Sequence, residues 1–135
     1  MPIFRAVAPL FATLLLTAAA DAQNAPDWTT AQSVPVTMAD FSFAPNTLTF
    51  HANKPYVLHL TNTSGHGHSF DAPEFFAAVT VAPEDRSKID KGDVEVEGGQ
   101  SVDVKIVPKA SGSYKFHCSH FLHASFGMTG QVVVE

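Results

Sequence analysis

Cysteine is nearly missing from this sequence: Cys118 stands alone among 135 residues. Positive charge is also scarce, with 8 Lys and Arg against 13 Asp and Glu and a net charge of −5. Such a chain repels nucleic acid and anionic lipid surfaces and instead tolerates or attracts a cationic protein. No Ser-His-Asp spacing, phosphate-cradling glycine loop or dinucleotide fingerprint is present. Internal repeats and low-complexity tracts are absent too.

Long apolar runs are equally lacking. The one candidate, Ala6 to Ala20, is too short to span a bilayer comfortably. Arg5 precedes it and Ala20-Asp21-Ala22 follows it in a small-x-small pattern. Together these predict an export signal over residues 1–22, removed on secretion, with no membrane span left after cleavage. The remaining length supports one domain. Residues 23–33 are polar, contain Pro26, and read as a flexible lead-in to a domain over 34–135.

Export sharpens the question posed by Cys118. Secreted proteins normally use cysteine in pairs, and an unpaired exported thiol is open to oxidation. Two environments protect it: ligation to a metal, or burial as an inert small hydrophobe. Cys118 alone does not separate them.

From residue 34 onward the chain reads as short strands divided by turns. Candidate strands are Val34 to Met38, Thr47 to His51, Tyr56 to Asn62, Ser113 to Cys118 and Gln131 to Glu135. Val102, Val104 and Ile106 alternate with Ser101, Asp103 and Lys105, the pattern of one buried and one wet face. Phe41 and Phe43 stand at period two ahead of a turn at Pro45-Asn46, and Ala52-Asn53-Lys54-Pro55 marks another turn. Asp71 and Glu74, with Pro73 between them, resemble a capping box and predict one short helix over Glu74 to Val79. Residues 83–92 are charged and read as a surface excursion. The expected fold class is all-β, an antiparallel sandwich or barrel with that one inserted helix.

The chemistry is concentrated near the end of the chain. Cys118, His123 and Met128 lie on a loop between two strands as C-x4-H-x4-M. Thiolate, imidazole and thioether together suit copper, and a trigonal His2Cys site with a weak axial Met is an electron-transfer geometry. Zinc gains little from a thioether, so Met128 argues against it. Strand parity places Tyr114, Phe116 and Cys118 on one face and Lys115 and His117 on the other. If the aromatics face the core, so does the thiol. A second imidazole must come from Asn62-Thr63-Ser64-Gly65-His66-Gly67-His68-Ser69-Phe70. His68 is preferred because it adjoins Ser69-Phe70, where extended structure can resume, whereas His66 sits between two glycines on a looser loop.

These two segments, with the Phe41-x-Phe43-x-Pro45 entry, resemble the cupredoxin, or type 1 copper, family across about residues 34–135. The resemblance implies His68, Cys118 and His123 as equatorial ligands of one copper ion and Met128 as the axial ligand. It also implies an antiparallel Greek-key β-sandwich, with Asn62 steadying the ligand loop. The function it implies is one-electron transfer in the periplasm by a monomeric carrier, not an enzyme, serving a redox protein such as a cytochrome or oxidase. His123 would be the exit, with Phe121, Leu122, Ala124 and Phe126 as an apolar docking patch.

Two departures stand out. His117 and His120 flank the cysteine, and the stretch Asp71 to Val79 is inserted after the first ligand. His117 has the wrong parity for the same ion, and His120 is too near Cys118 along the chain to share a trigonal site. With His66 they motivate an alternative reading, copper buffering or oxidation for tolerance. The string around Cys118 also partly resembles the multicopper oxidases, but Ser119 follows the cysteine where that pattern has histidine. His51 and His59 read as outward polar residues. Phe70, Phe75, Phe76, Phe116, Phe121 and Phe126 read as core packing and as an apolar shell around the site.

Overall fold

The computed structural model describes Pro2 and residues 25–135. The export signal read over 1–22 therefore lies, Pro2 aside, outside the described residues. Ten strands are found among them: β1 (Gln32–Ala39), β2 (Ser42–Ala44), β3 (Thr47–Phe50), β4 (Tyr56–Asn62), β5 (His68–Asp71), β6 (Val79–Val81), β7 (Asp93–Val96), β8 (Ser101–Pro108), β9 (Gly112–His117) and β10 (Thr129–Val134). They form two five-stranded sheets, in the orders β2-β1-β4-β8-β6 and β3-β10-β9-β5-β7. The all-β sandwich expected from the alternation is the observed architecture.

Two pairings, β1 with β4 and β3 with β10, are parallel rather than antiparallel. The cause is topological. Between β1 and β4 the chain crosses to the other sheet to lay down β3, and it returns running in its original direction. Strand β1 begins at Gln32, within the segment read as lead-in, because Gln32 pairs with Tyr56 and donates its N–H to the Pro55 carbonyl at 3.2 Å. Just before it, Asp27 caps a short 3-10 turn, Trp28–Thr30, accepting the Thr29 N–H at 3.0 Å.

The inner faces of the sheets meet in an aromatic core. Phe70 stacks on Phe116 with ring centroids 4.5 Å apart, and Phe43 meets Phe116 edge-on at 4.9 Å. Each such burial contributes about 1.5–3 kcal/mol by removing apolar surface from water. Phe50 and Phe75 stack at 5.6 Å on the other side of the core. Phe75 comes from α1 (Pro73–Ala77), which buries Phe75 and Phe76. The predicted capping box does not form. Ala72 occupies the N-cap with no side-chain bond, and Asp71 is instead the last residue of β5, paired with Asp93 and His117. The helix also ends sooner than expected, since Val79 opens β6.

The charged excursion after β6 is anchored rather than loose. Asp85 is buried and accepts the Lys105 N–H at 2.9 Å and the Lys88 ammonium at 2.6 Å. Among the described residues no helix is long and apolar enough to cross a membrane.

Candidate metal centre

The end of β1, the start of β5, the end of β9 and the start of β10 converge at one pole of the sandwich. Alternation along β9 holds as read: Phe116 and Cys118 are buried, while Lys115 is exposed and His117 half-buried. Cys118 thus leaves the strand pointing inward. Its N–H donates to the Met128 carbonyl at 3.1 Å, and the Met128 N–H donates to the His123 carbonyl at 3.1 Å. These two bonds close the loop on itself and hold Met128 fully buried at its exit.

His68 opens β5 with no exposed surface, so its imidazole projects into the interior beside the thiol. Its Nδ1 lies 3.9 Å from Cys118 Sγ and 3.2 Å from His123 Nδ1, and His123 Nδ1 lies 3.3 Å from Sγ. Bond lengths of about 2.0 Å to nitrogen and 2.3 Å to sulfur, arranged trigonally, place donors about 3.5 Å (N to N) and about 3.7 Å (N to S) apart. The observed triangle matches those spacings, so the residues present fit one ion. Among the described residues these three are the only histidine, cysteine or carboxylate cluster with donor atoms all within 4.8 Å of one another.

The histidine chemistry agrees. His68 Nε2 contacts Asp40 Oδ1 at 3.2 Å. An ionised carboxylate only accepts, so Nε2 carries the proton and Nδ1 presents a bare lone pair to the centre. The same bond with His68 holds the Asp40 carboxyl below the usual range. Burial lowers the affinity of His123 for a proton, and the neighbouring His68 and His120 lower it further, which favours the neutral, ligating form.

Asn62, buried at the end of β4, ties the ligand loop as expected. Its amide donates to the His66 and Val96 carbonyls at 2.7 and 2.9 Å, and its Oδ1 accepts the Ser64 N–H at 3.0 Å. His66 is 77% exposed and lies 3.5 Å from Asp40, outside the donor triangle. His117 pairs with Asp71 at 3.3 Å on the outer face of the sheet. His120 turns its Nε2 to the Glu95 carboxylate at 2.8 and 2.9 Å and stacks on His123 with centroids 5.3 Å apart. His51 and His59 lie on the outside, paired with Glu135 and Asp103.

The phenylalanines divide. Phe70, Phe75, Phe76 and Phe116 are buried, but Phe121 and Phe126 are exposed and form no part of an inner shell. They join Leu122 and Phe41 in an apolar surface around the His123 ring. Phe41 meets that ring edge-on at 5.3 Å and lies tilted against the Phe126 ring at 5.4 Å. Its pairing with Phe43 in sequence concealed this, since the turn at Asp40-Phe41 sends the two rings apart. Asp40, Ser69, Asp93 and Ser119 were also missed as site residues. Of these Ser69 and Ser119 carried a signal, each standing directly after a ligand.

The profile of the cupredoxin-like domain matches residues 6–134. Among solved structures, auracyanin B superposes with a TM-score of 0.58 at 24% identity, covering 78% of this chain and 90% of its own. Auracyanin A, a blue copper protein from the green thermophilic photosynthetic bacterium Chloroflexus aurantiacus, gives 0.53 at 19%, covering 76% and 99%. A multi-copper oxidase from Pseudomonas thermotolerans gives 0.64 at 16%, covering 82% of this chain but 31% of the oxidase. No curated protein sequence matches the chain significantly.

Proposed function

The chain belongs to the cupredoxin-like domain family, and from that premise we propose that it holds one copper ion through His68, Cys118, His123 and Met128 and carries single electrons between proteins. Bound there, copper would supply a Cu(I)/Cu(II) couple. The observation that carries the reading is the donor triangle: two Nδ1 atoms and one Sγ, mutually 3.2 to 3.9 Å apart, with the His68 Nε2 proton directed to Asp40. The chain's own part is to hold the donors still. His68 is fixed by Asp40, the Cys118 loop by its bonds to Met128, and the 62–68 loop by Asn62. Little rearrangement would accompany each electron.

The apolar surface of Phe41, Phe121, Leu122 and Phe126 is the proposed docking face, with the His123 edge as the exit. Transient redox encounters use small interfaces, so a modest patch suffices. A cytochrome or oxidase is the proposed partner, the periplasm the proposed compartment on the strength of the Arg5 to Ala22 pattern, and a monomer the proposed state.

A carrier is preferred to an oxidase because the residues flanking the cysteine are engaged elsewhere. Ser119 bonds to Ser69 and Asp93, His117 to Asp71 and His120 to Glu95. A second reading, copper buffering for tolerance, is favoured by three outer pairs, His66–Asp40, His117–Asp71 and His120–Glu95, each of which offers an imidazole beside a carboxylate.

The deciding experiment is the visible and EPR spectrum with one equivalent of Cu(II), beside Cys118→Ala. An intense thiolate-to-copper band lost in the variant supports the carrier. A weak tetragonal signal that survives it overturns the site. More than one tight equivalent in a copper titration would favour buffering.

A further inference from the structure

Cys118 Sγ accepts the Ser69 N–H at 3.4 Å, and the Ser69 hydroxyl lies 4.0 Å from the same sulfur. Whether that hydroxyl also donates to the sulfur depends on where its single proton goes. Ser69 has no exposed surface, so water does not settle the matter. Its Oγ accepts the Ser119 N–H at 2.9 Å and lies 2.8 Å from the Ser119 Oγ. Either hydroxyl can be the donor in that last contact.

The ambiguity is removed one step further out. Ser119 Oγ is 2.6 Å from Asp93 Oδ2, and a carboxylate oxygen there only accepts, so the Ser119 proton points at Asp93. Ser119 Oγ is left as an acceptor, and the Ser69 proton must fill it. An O···O contact of 2.8 Å also outcompetes an O···S contact of 4.0 Å. Its other oxygen, Asp93 Oδ1, is buried and has no hydrogen-bond partner among the described residues.

We propose that Asp93 is a positioning residue that draws the Ser119 and Ser69 hydroxyl protons outward in sequence, leaving the Cys118 sulfur with the Ser69 backbone N–H and without its hydroxyl. This rests on the copper reading above. Hydrogen bonds to a ligating sulfur withdraw its charge and favour the reduced ion, so their number sets the redox potential. A carboxylate on the outer face of the sheet thereby holds the potential below the value that Ser69 would otherwise confer.

The test compares Ser119→Ala, Asp93→Ala and Ser69→Ala in the copper-loaded protein, reading the midpoint potential and the energy of the thiolate-to-copper band. Ser119→Ala removes the acceptor 2.8 Å from Ser69 Oγ and leaves the Cys118 sulfur as the other acceptor that this hydroxyl approaches among the described residues. The Cu(I) to Cu(II) ratio at fixed poise should rise about tenfold, which is about 59 mV for a one-electron couple. Asp93→Ala should shift it the same way, because Ser119 is then free to donate to Ser69. Ser69→Ala should leave it in place, since the hydroxyl it removes was not bonded to sulfur. A purely structural role for Asp93 would change stability without moving the potential or the band.

Unchanged potentials in both Ser119→Ala and Asp93→Ala overturn the proposal, as does a fall in Ser69→Ala. If Asp93→Ala does not fold, the Ser119→Ala and Ser69→Ala pair decides alone. A wild-type protein that forms no thiolate-to-copper band refutes the copper reading and this inference with it. A wild-type band with immobile potentials refutes only the inference.

Discussion

Replacing Asp40 with alanine removes the one hydrogen-bond partner that His68 Nε2 has among the described residues, at 3.2 Å. His68 is completely buried, so its Nε2–H cannot turn to bulk water without movement of the ring. The tautomer with the proton on Nδ1, pointing at Cys118 and His123, then competes with the form that presents a lone pair. Loss of such a partner behind a ligating histidine weakens metal binding by about 10- to 100-fold. The Asp40 side chain is 54% exposed, so water can enter the space it leaves and restore part of the bond, which places the expected loss near the lower end. Competition for copper against a chelator of known affinity measures it directly. Asp40→Asn is the control, because its amide oxygen can still accept the Nε2 proton and should retain most of the affinity. Copper binding to Asp40→Ala as tight as to wild type would refute the assignment of Asp40 as the group that selects the His68 tautomer.

Phe116→Ala should destabilise the fold by about 3–5 kcal/mol in urea denaturation, since it empties the centre of the Phe43–Phe70–Phe116 cluster. Gly130→Ala should cost about 1–3 kcal/mol by overpacking. A Cβ there would stand 2.2 Å from Phe116 Cζ and 2.5 Å from the Asn46 carbonyl oxygen, and the second of these is backbone that cannot swing away. Leu122→Glu should leave copper in place but slow electron transfer to a partner roughly tenfold, equivalent to about 1.4 kcal/mol of docking free energy, as read by stopped-flow mixing. Acid sensitivity should trace in part to Asp85. Burial pushes its carboxyl up, but the Lys88 ammonium and the Lys105 N–H outweigh burial and hold it below the ordinary range. A depressed carboxyl stabilises the fold above the unfolded value of about 3.9 and loses that contribution as pH falls through the folded value. Asp85→Asn should therefore flatten the pH dependence of unfolding below about pH 4, measured by thermal melts across pH.

Much of the centre was legible because it depends on local rules. Period-two parity from Tyr114 is enough to turn Cys118 inward, and the flanking glycines distinguished exposed His66 from His68, which has no exposed surface. What escaped was long-range. Asp40 meets His68 only because the ends of β1 and β5 come together at one pole, and no pattern around residue 40 announces it. Apolar character alone did not separate Phe116, which packs the core, from Phe121, which is 87% exposed. The false capping box at Asp71 has a similar origin. Its carboxylate suits a helix start, but pairing with Asp93 and His117 claimed the residue for a strand.

The bond from the Cys118 N–H to the Met128 carbonyl has a bearing on how such a protein can change over generations. It seals the base of the connection between β9 and β10, so the ladder below it keeps its register whatever happens in residues 119–127. Insertions, deletions or substitutions in that stretch can respace the imidazole and the thioether without disturbing the sheets. The connection behaves as an exchangeable cassette mounted on an invariant chassis. One sandwich can then be tuned to many electron donors and acceptors by drift in a single short segment, while the histidine supplied by β5 stays where the core holds it.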